Sequence, residues 1–462
     1  MTDGLAELEV GPRQHPHADG GTVLARMRGQ WVRVLLLLVA VTAAAAPLIG
    51  FRIHHNPGLS PYDETPYLDY LYRVDHGQFI VGKGEKITTY TARLQACRGV
   101  TGVTPVNPAV CAGTKPAAAR PLNTADIDPP TYYILTALGA RVIRSLGVTH
   151  DLLTSGRLMG VAWAGLGLTL LALFARWLGA SWPAAAVVAG VVLCTPEYLR
   201  MWTFVTPHAM ELVVTIPVLW VAANWARGGG RWWHLALAGL LPPAVKATDV
   251  LAGAMAVLVL LLSARRSWTA GRSGGSGTIR RGPGASPVPR LLTGAAVLGA
   301  STLAGSVVWL AVRSHYSLMA GNEFPQFDVT HFSLSYLTST IALFMQPQAV
   351  LVDGQATVAV LLQLALFGSV LAVLRSELSP SLRALAGAVL AGGIFGPWLF
   401  VAFNYVDLHQ FVTGLPIRYG LSVFSGAAAV LASSIRGRAA LAGVACLGVV
   451  LLSIDLLPHH WP

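Results

Sequence analysis

Apolar runs of about 20 residues, the length that carries a helix across a bilayer, recur along this chain and constrain its fold more than any other feature. They begin near Trp31, Gly156, Pro183, Pro207, Trp232, Asp249, Leu291, Val350, Ala384, Pro416 and Ala439. Only 11% of the 462 residues are charged, whereas soluble domains carry about a quarter. The expected fold class is an all-α polytopic membrane protein with about eleven transmembrane helices and a long first extracytoplasmic loop carrying interfacial helices.

Basic residues outnumber acidic ones 32 to 21, but the arginines cluster at the ends of apolar runs. That pattern reports cytoplasmic anchoring rather than nucleic acid. Residues 1–25 read as a disordered cytoplasmic tail, and VRVLLLLVAVTAAAAPLIGF as an uncleaved signal anchor. The segment DPPTYYILTALGARVIRSLG is apolar but short, and parity decides its place. If it crossed the bilayer, Arg265, Arg266, Arg272, Arg280, Arg281 and Arg290 would face outward. Laid along the outer surface, it puts these and Arg176, Arg227, Arg231, Arg375, Arg383, Arg436 and Arg438 in the cytoplasm.

Residues 52–155 are then the outer loop, residues 26–263 a front membrane module, 264–290 a cytoplasmic linker, and 291–462 a C-terminal membrane module. Residues 232–263 read either as two spans or as a re-entrant hairpin around PPAVKATD. The outward segments also hold TPEYLRMWTFVTPH, residues 313–337 and residues 403–420, so the working face is expected outside.

Two acidic stretches in the outer loop carry the candidate chemistry. Asp63 and Glu64 precede an amphipathic run in which Tyr67, Tyr70, Leu71 and Val74 fall at helical spacing, so a helix is predicted from about Thr65. The plainer role for both acids is helix capping. Asp126 and Asp128 precede Pro129 and Pro130, which stiffen the entry to Tyr132 and Tyr133. Arg157, Lys246 and Arg418 are cations expected at outer ends of apolar runs, with Asp249 a candidate partner for Lys246. Interfacial anchoring is the alternative for the two arginines.

His208 and Glu211 share a helical face, and Tyr405, Asp407, His409 and Gln410 are candidates to line a sugar pocket or a wet loop. His459 and His460 read as a terminal tail without a role. Asp63, Asp128 and His208 are possible ligands for a divalent metal ion, though at no dedicated spacing. A disulfide is expected between Cys97 and Cys111, with Cys194 and Cys446 as small core residues. Trp182, Trp202, Trp232, Trp233 and Trp398 read as an interfacial belt.

DETPYLDYLYRVDHGQF resembles the acidic signature in the first external loop of the GT-C glycosyltransferase superfamily. DIDPPTYYILTALGARV is similar to the Asp-x-His-Pro-Pro-Leu segment of its protein-mannosyltransferase-like and aminoarabinose-transferase-like members, with Asp128 where that pattern has histidine and Thr131 where it has leucine. SGRLMGVAWAGLGLTLLALFARWLG, LAGLLPPAVKATDVLAGAMAVLVLLL and PIRYGLSVFSGAAAVLA resemble later segments of those proteins, in family order.

The resemblance implies a polytopic plasma-membrane enzyme that takes a sugar from a polyprenyl-phosphate lipid and passes it to a cell-envelope glycan, lipid or protein on the external face. It implies inversion at the sugar and makes Asp63 the foremost catalytic carboxylate, beside Glu64 and with Asp128. Asp126, Tyr132, Tyr133, Arg157, His208, Lys246, Arg418 and Tyr419 are the expected substrate-binding set. A carboxylate within reach of an acceptor hydroxyl takes its proton as the oxocarbenium-like centre develops, while cations meet the departing phosphate. The alanine, glycine and arginine bias points to a high-GC bacterium, and so to arabinose or mannose on decaprenyl phosphate in an actinobacterial cell wall. The alternative is a transporter or flippase of a lipid-linked sugar, which the PPAVKATD hairpin favours.

Overall fold

The structure, a computed structural model, describes residues 20–115, 120–272, 288–319, 355–376, 378–408 and 417–456. Helices dominate: α1 Gly20–His55, α2 Glu64–Asp75, α3 Thr89–Arg98, α4 Pro108–Cys111, α5 Thr131–Ser145, α6 Leu152–Leu178, α7 Trp182–Leu193 and α8 Pro196–Thr203. There follow α9 Glu211–Ala226, α10 Trp232–Val245, α11 Val250–Arg272, α12 Val288–His315, α13 Gln355–Arg375, α14 Pro380–Leu408, α15 Leu421–Ser434 and α16 Gly437–Leu456. No strand occurs among the described residues, only isolated bridges such as Leu59 with Val100.

Among the described residues, six helices are long and apolar enough to cross a membrane, or seven if the bent pair α7 and α8 forms one span. The chain is therefore an all-α, multi-pass membrane protein. Helix α5, at 15 residues, is not among the candidate spans and packs against α2 and α6.

Local chemistry sets the breaks. The Asp151 carboxylate caps α6 by accepting from Thr154 N at 2.9 Å, and Gly179 ends it with φ 107°, a conformation that suits glycine. Pro196 forces Thr195 into extended geometry, so α7 stops and α8 departs at 66°. Pro242 and Pro243 each remove a backbone donor from α10, which ends at an extended Lys246 before a 3-10 turn, Ala247–Asp249, opens α11.

One contiguous apolar core joins the helices. Helix α6 packs against α1, α5, α7 and α9, while α11 packs against α9, α12 and α14. The approach of α6 to α8 needs Gly160, because a Cβ there would lie 1.8 Å from the Trp202 carbonyl oxygen.

The segment between α1 and α6 is pinned by polar bonds. Asp69 accepts from Arg73 Nε (2.8 Å), Thr88 N (2.7 Å), Thr88 Oγ1 (2.6 Å) and Asn123 Nδ2 (2.8 Å), tying α2 to the start of α3 and to the turn before Asp126. Tyr70 stacks on Tyr133 of α5 with centroids 4.0 Å apart, and Asp75 bonds Arg141 and Arg144 of the same helix. Cys97 and Cys111 are joined by a disulfide.

Several expectations are corrected here. Helix α1 begins at Gly20, ahead of the expected tail boundary at residue 25, and α11 and α12 extend into both ends of the expected linker. Cys446 is exposed rather than core, and Trp202 is buried, donating to Ala209 O at 3.1 Å, rather than part of a belt. Residues 1–19, 273–287 and 320–354, together with His409, Gln410, His459 and His460, lie outside the described residues, as does the side chain of Asp407.

Candidate active site

Asp63 and Glu64 are neighbours with opposite surroundings. Asp63 has φ 62°, the one positive φ of a non-glycine among the described residues, and although it occupies the N-cap of α2 its side chain makes no capping bond. That conformation is uncommon outside glycine and turns the carboxylate away from the helix end. It accepts instead from the Arg418 guanidinium, and the side chain stays 44% exposed. Glu64, one residue on, is fully buried and accepts from Arg157 Nε (2.8 Å), Arg157 Nη2 (2.6 Å), Ser60 N (2.7 Å) and Val205 N (3.0 Å). Arg157 also donates to the carbonyls of Asn56 and Gly58. This pair knots α2, α6 and the start of the Thr206 turn together, and it leaves neither partner open to a substrate.

The second acidic stretch is clamped by α12. Trp309 Nε1 donates to Ile127 O at 2.8 Å and Arg313 Nε to Asp126 Oδ2 at 2.8 Å. Two residues on, the buried Asp128 faces Lys246 Nζ at 3.2 and 3.3 Å. Lys246 thus pairs with Asp128, 118 positions away, and not with Asp249 as its spacing suggested. Burial pushes the Asp128 carboxyl above the usual carboxylate range even though Lys246 pulls it down.

Around this pair the aromatic walls close. Lys246 Nζ lies 5.7 Å from the Tyr67 ring centroid and 5.9 Å from that of Tyr419, and the Arg418 guanidinium lies 5.5 Å from Tyr419. Burial raises Tyr67, which keeps its phenol neutral, while Lys246, Arg418, Asp128 and Asp63 all act on it electrostatically. The two acidic stretches therefore meet one set of residues, Tyr67, Lys246, Arg418 and Tyr419. The His208 ring stands 5.5 Å from that of Tyr419, and both of its nitrogens are buried without a hydrogen-bond partner, as are Tyr133 Oη and Arg418 Nε. Unpartnered buried polar atoms at one place suit a polar ligand.

No family model matches this chain, and no curated protein matches it either.

The remaining expected residues have structural surroundings. Tyr132 Oη accepts from Thr206 N at 3.0 Å. Among the described residues no three His, Cys, Asp or Glu side chains are grouped to hold a metal ion, so Asp63, Asp128 and His208 do not form the metal cluster considered from sequence. Glu211 accepts from Thr215 Oγ1 at 2.8 Å and from Ser422 Oγ, and hydrogen-bonds Asp249, joining α9, α11 and α15 below the Lys246 break. That carboxyl pair and the place of Tyr67 beside Lys246 were missed in the sequence. The pairing leaves no trace in spacing, whereas the Tyr67, Tyr70, Leu71, Val74 pattern had already placed Tyr67 on the buried face of α2.

Proposed function

We propose that this chain is a GT-C-like membrane glycosyltransferase that moves a sugar from a polyprenyl-phosphate donor to a cell-envelope acceptor on the extracytoplasmic face. The observation that carries the reading is Asp63: an acid held in an uncommon backbone conformation, not used as a cap, oriented by Arg418 and open to solvent beside a buried cationic cluster. Strained backbone of this kind collects at functional sites. The six or seven spanning-length apolar helices among the described residues support a polytopic, GT-C-like architecture.

In this reading Asp63 accepts the proton of the acceptor hydroxyl. The acceptor oxygen bonds to the anomeric carbon on the face opposite the leaving group, and the bond from that carbon to the phosphate oxygen breaks. The electron pair departs on the lipid phosphate, whose growing charge meets Lys246 and Arg418, placed before the reaction begins. Tyr67, Tyr419 and His208 form the sugar pocket. Glu64 and Arg157 hold the base-bearing turn in position and take no direct part.

The rival, a flippase of lipid-linked sugar, draws support from the buried Glu211, Asp249 and Lys246 around the broken α10 and α11 pair. Purified protein in liposomes, given labelled polyprenyl-phosphate sugars and envelope acceptors, separates the two. The transferase reading expects a new glycosidic bond. Movement of the sugar lipid between leaflets without any new bond refutes it.

A further inference from the structure

A basic, disulfide-stapled hairpin sits where two candidate spans end, and the transfer chemistry does not use it. Residues 87–123 contain Arg93, Arg98, Lys115 and Arg120 and no aspartate or glutamate. All four cations are exposed, and none forms an ion pair with a described residue. Arg93 donates to the Cys111 carbonyl at 3.0 and 3.2 Å, which fixes the side chain without neutralising it.

The turn after α3 is fastened just beyond α1: Leu59 N donates to Gly99 O at 3.0 Å, and Thr101 N to Leu59 O at 2.9 Å. The candidate span in α1 stops shortly before this tie, at His55, and the one in α6 starts at Leu152. Between those two helix ends lies a cleft of about 340 Å³, lined by Arg98 together with Ile53, Leu153 and Leu158. Arg157 also lines it but is neutralised by Glu64, so Arg98 is the arginine there without an ion pair. On the same turn Val103 and Val106 are 69% and 51% exposed.

Exposed apolar side chains beside unpaired cations, at the level where a span ends, compose a surface that meets anionic headgroups. A soluble polyanion would account for the charge but not for the valines or for a cleft at the span ends. We propose that the α3–α4 hairpin binds anionic phospholipid. Arg98 holds a headgroup phosphate in the cleft, Val103 and Val106 enter the edge of the bilayer, and Arg93, Lys115 and Arg120 add to the field that draws headgroups in. The assignment does not depend on glycosyl transfer.

The test uses the full chain in nanodiscs of phosphatidylcholine with increasing phosphatidylglycerol, and no sugar donor. Hydrogen exchange of residues 99–107 is the readout, and phosphatidylglycerol is expected to slow it in the wild type. Arg98→Gln is expected to need about fivefold more phosphatidylglycerol for half of that slowing, the effect of one basic residue near an anionic surface. Arg98→Lys is expected to keep most of the effect, and Val103→Ser with Val106→Ser to remove it. These side chains are exposed, so an unchanged melting temperature reports an intact fold in each variant. Equal exchange in the two kinds of disc overturns the proposal, as does an unchanged lipid requirement in Arg98→Gln. Slowing by inorganic polyphosphate in phosphatidylcholine discs, in place of phosphatidylglycerol, assigns the hairpin to a soluble polyanion and overturns it too.

Discussion

The Arg418 guanidinium donates to the carboxylate of Asp63 across 355 positions of sequence, joining the turn before α2 to the 3-10 turn, Ile417–Gly420, before α15. The Asp63 turn and the C-terminal half of the chain are thereby fastened together at the candidate site.

Arg418→Gln removes the cation that orients Asp63 and that, in the proposed transfer, would meet the leaving phosphate. Turnover in liposomes is expected to fall by about 10²-fold or more, the scale for losing a preorganised electrostatic contact. Arg418→Lys keeps the charge but loses the planar fork, so it is expected to recover only part of the rate.

Glu64→Ala leaves Arg157 buried opposite no charge. Breaking a buried pair in this way costs about 3–5 kcal/mol, so a large drop in melting temperature in detergent is expected. Asp63→Asn changes a side chain that is 44% exposed and is expected to melt close to wild type. Equal melting of Glu64→Ala and wild type would contradict the structural role given to Glu64.

Asp75 supplies a pH dependence. Burial raises its pKa, but hydrogen bonds and charge from Arg141 and Arg144 outweigh that and hold it below the usual range. A folded value below the unfolded one, about 3.9, means the carboxylate stabilises the fold above that pH. The contribution fades as pH falls through the lower folded value. Thermal melts of Asp75→Asn are expected to lie below wild type at neutral pH, with the gap closing below about pH 4.

The Cys97–Cys111 disulfide closes a loop over a sequence separation of 14. Chain-entropy estimates give about 3 kcal/mol for a loop of this size. Cys97→Ser with Cys111→Ser is expected to speed amide exchange in α3 and α4 and to spare the spans, as read by hydrogen exchange with mass spectrometry.

Much of the fold was legible because bilayer crossing demands a run of fixed length: the apolar runs coincide with helices wherever residues are described, and the short α5 was separable by its length and by Arg141 and Arg144. What those two arginines do was not legible, since the partner, Asp75, sits on another helix. Lys246 shows the same limit: Asp249 is near in sequence, but the chain breaks at Lys246 and turns its amine toward Asp128. Asp63 and Glu64 looked interchangeable because only a backbone torsion, φ 62° at Asp63, sends one outward and the other into Arg157.

The most direct test of the central claim is the rate of sugar transfer from labelled polyprenyl-phosphate donors by Asp63→Asn in liposomes, with donor binding and melting temperature measured alongside. The account predicts donor binding near wild type and a transfer rate lower by about 10²- to 10⁴-fold, the range for loss of a general base. A transfer rate equal to wild type would contradict it.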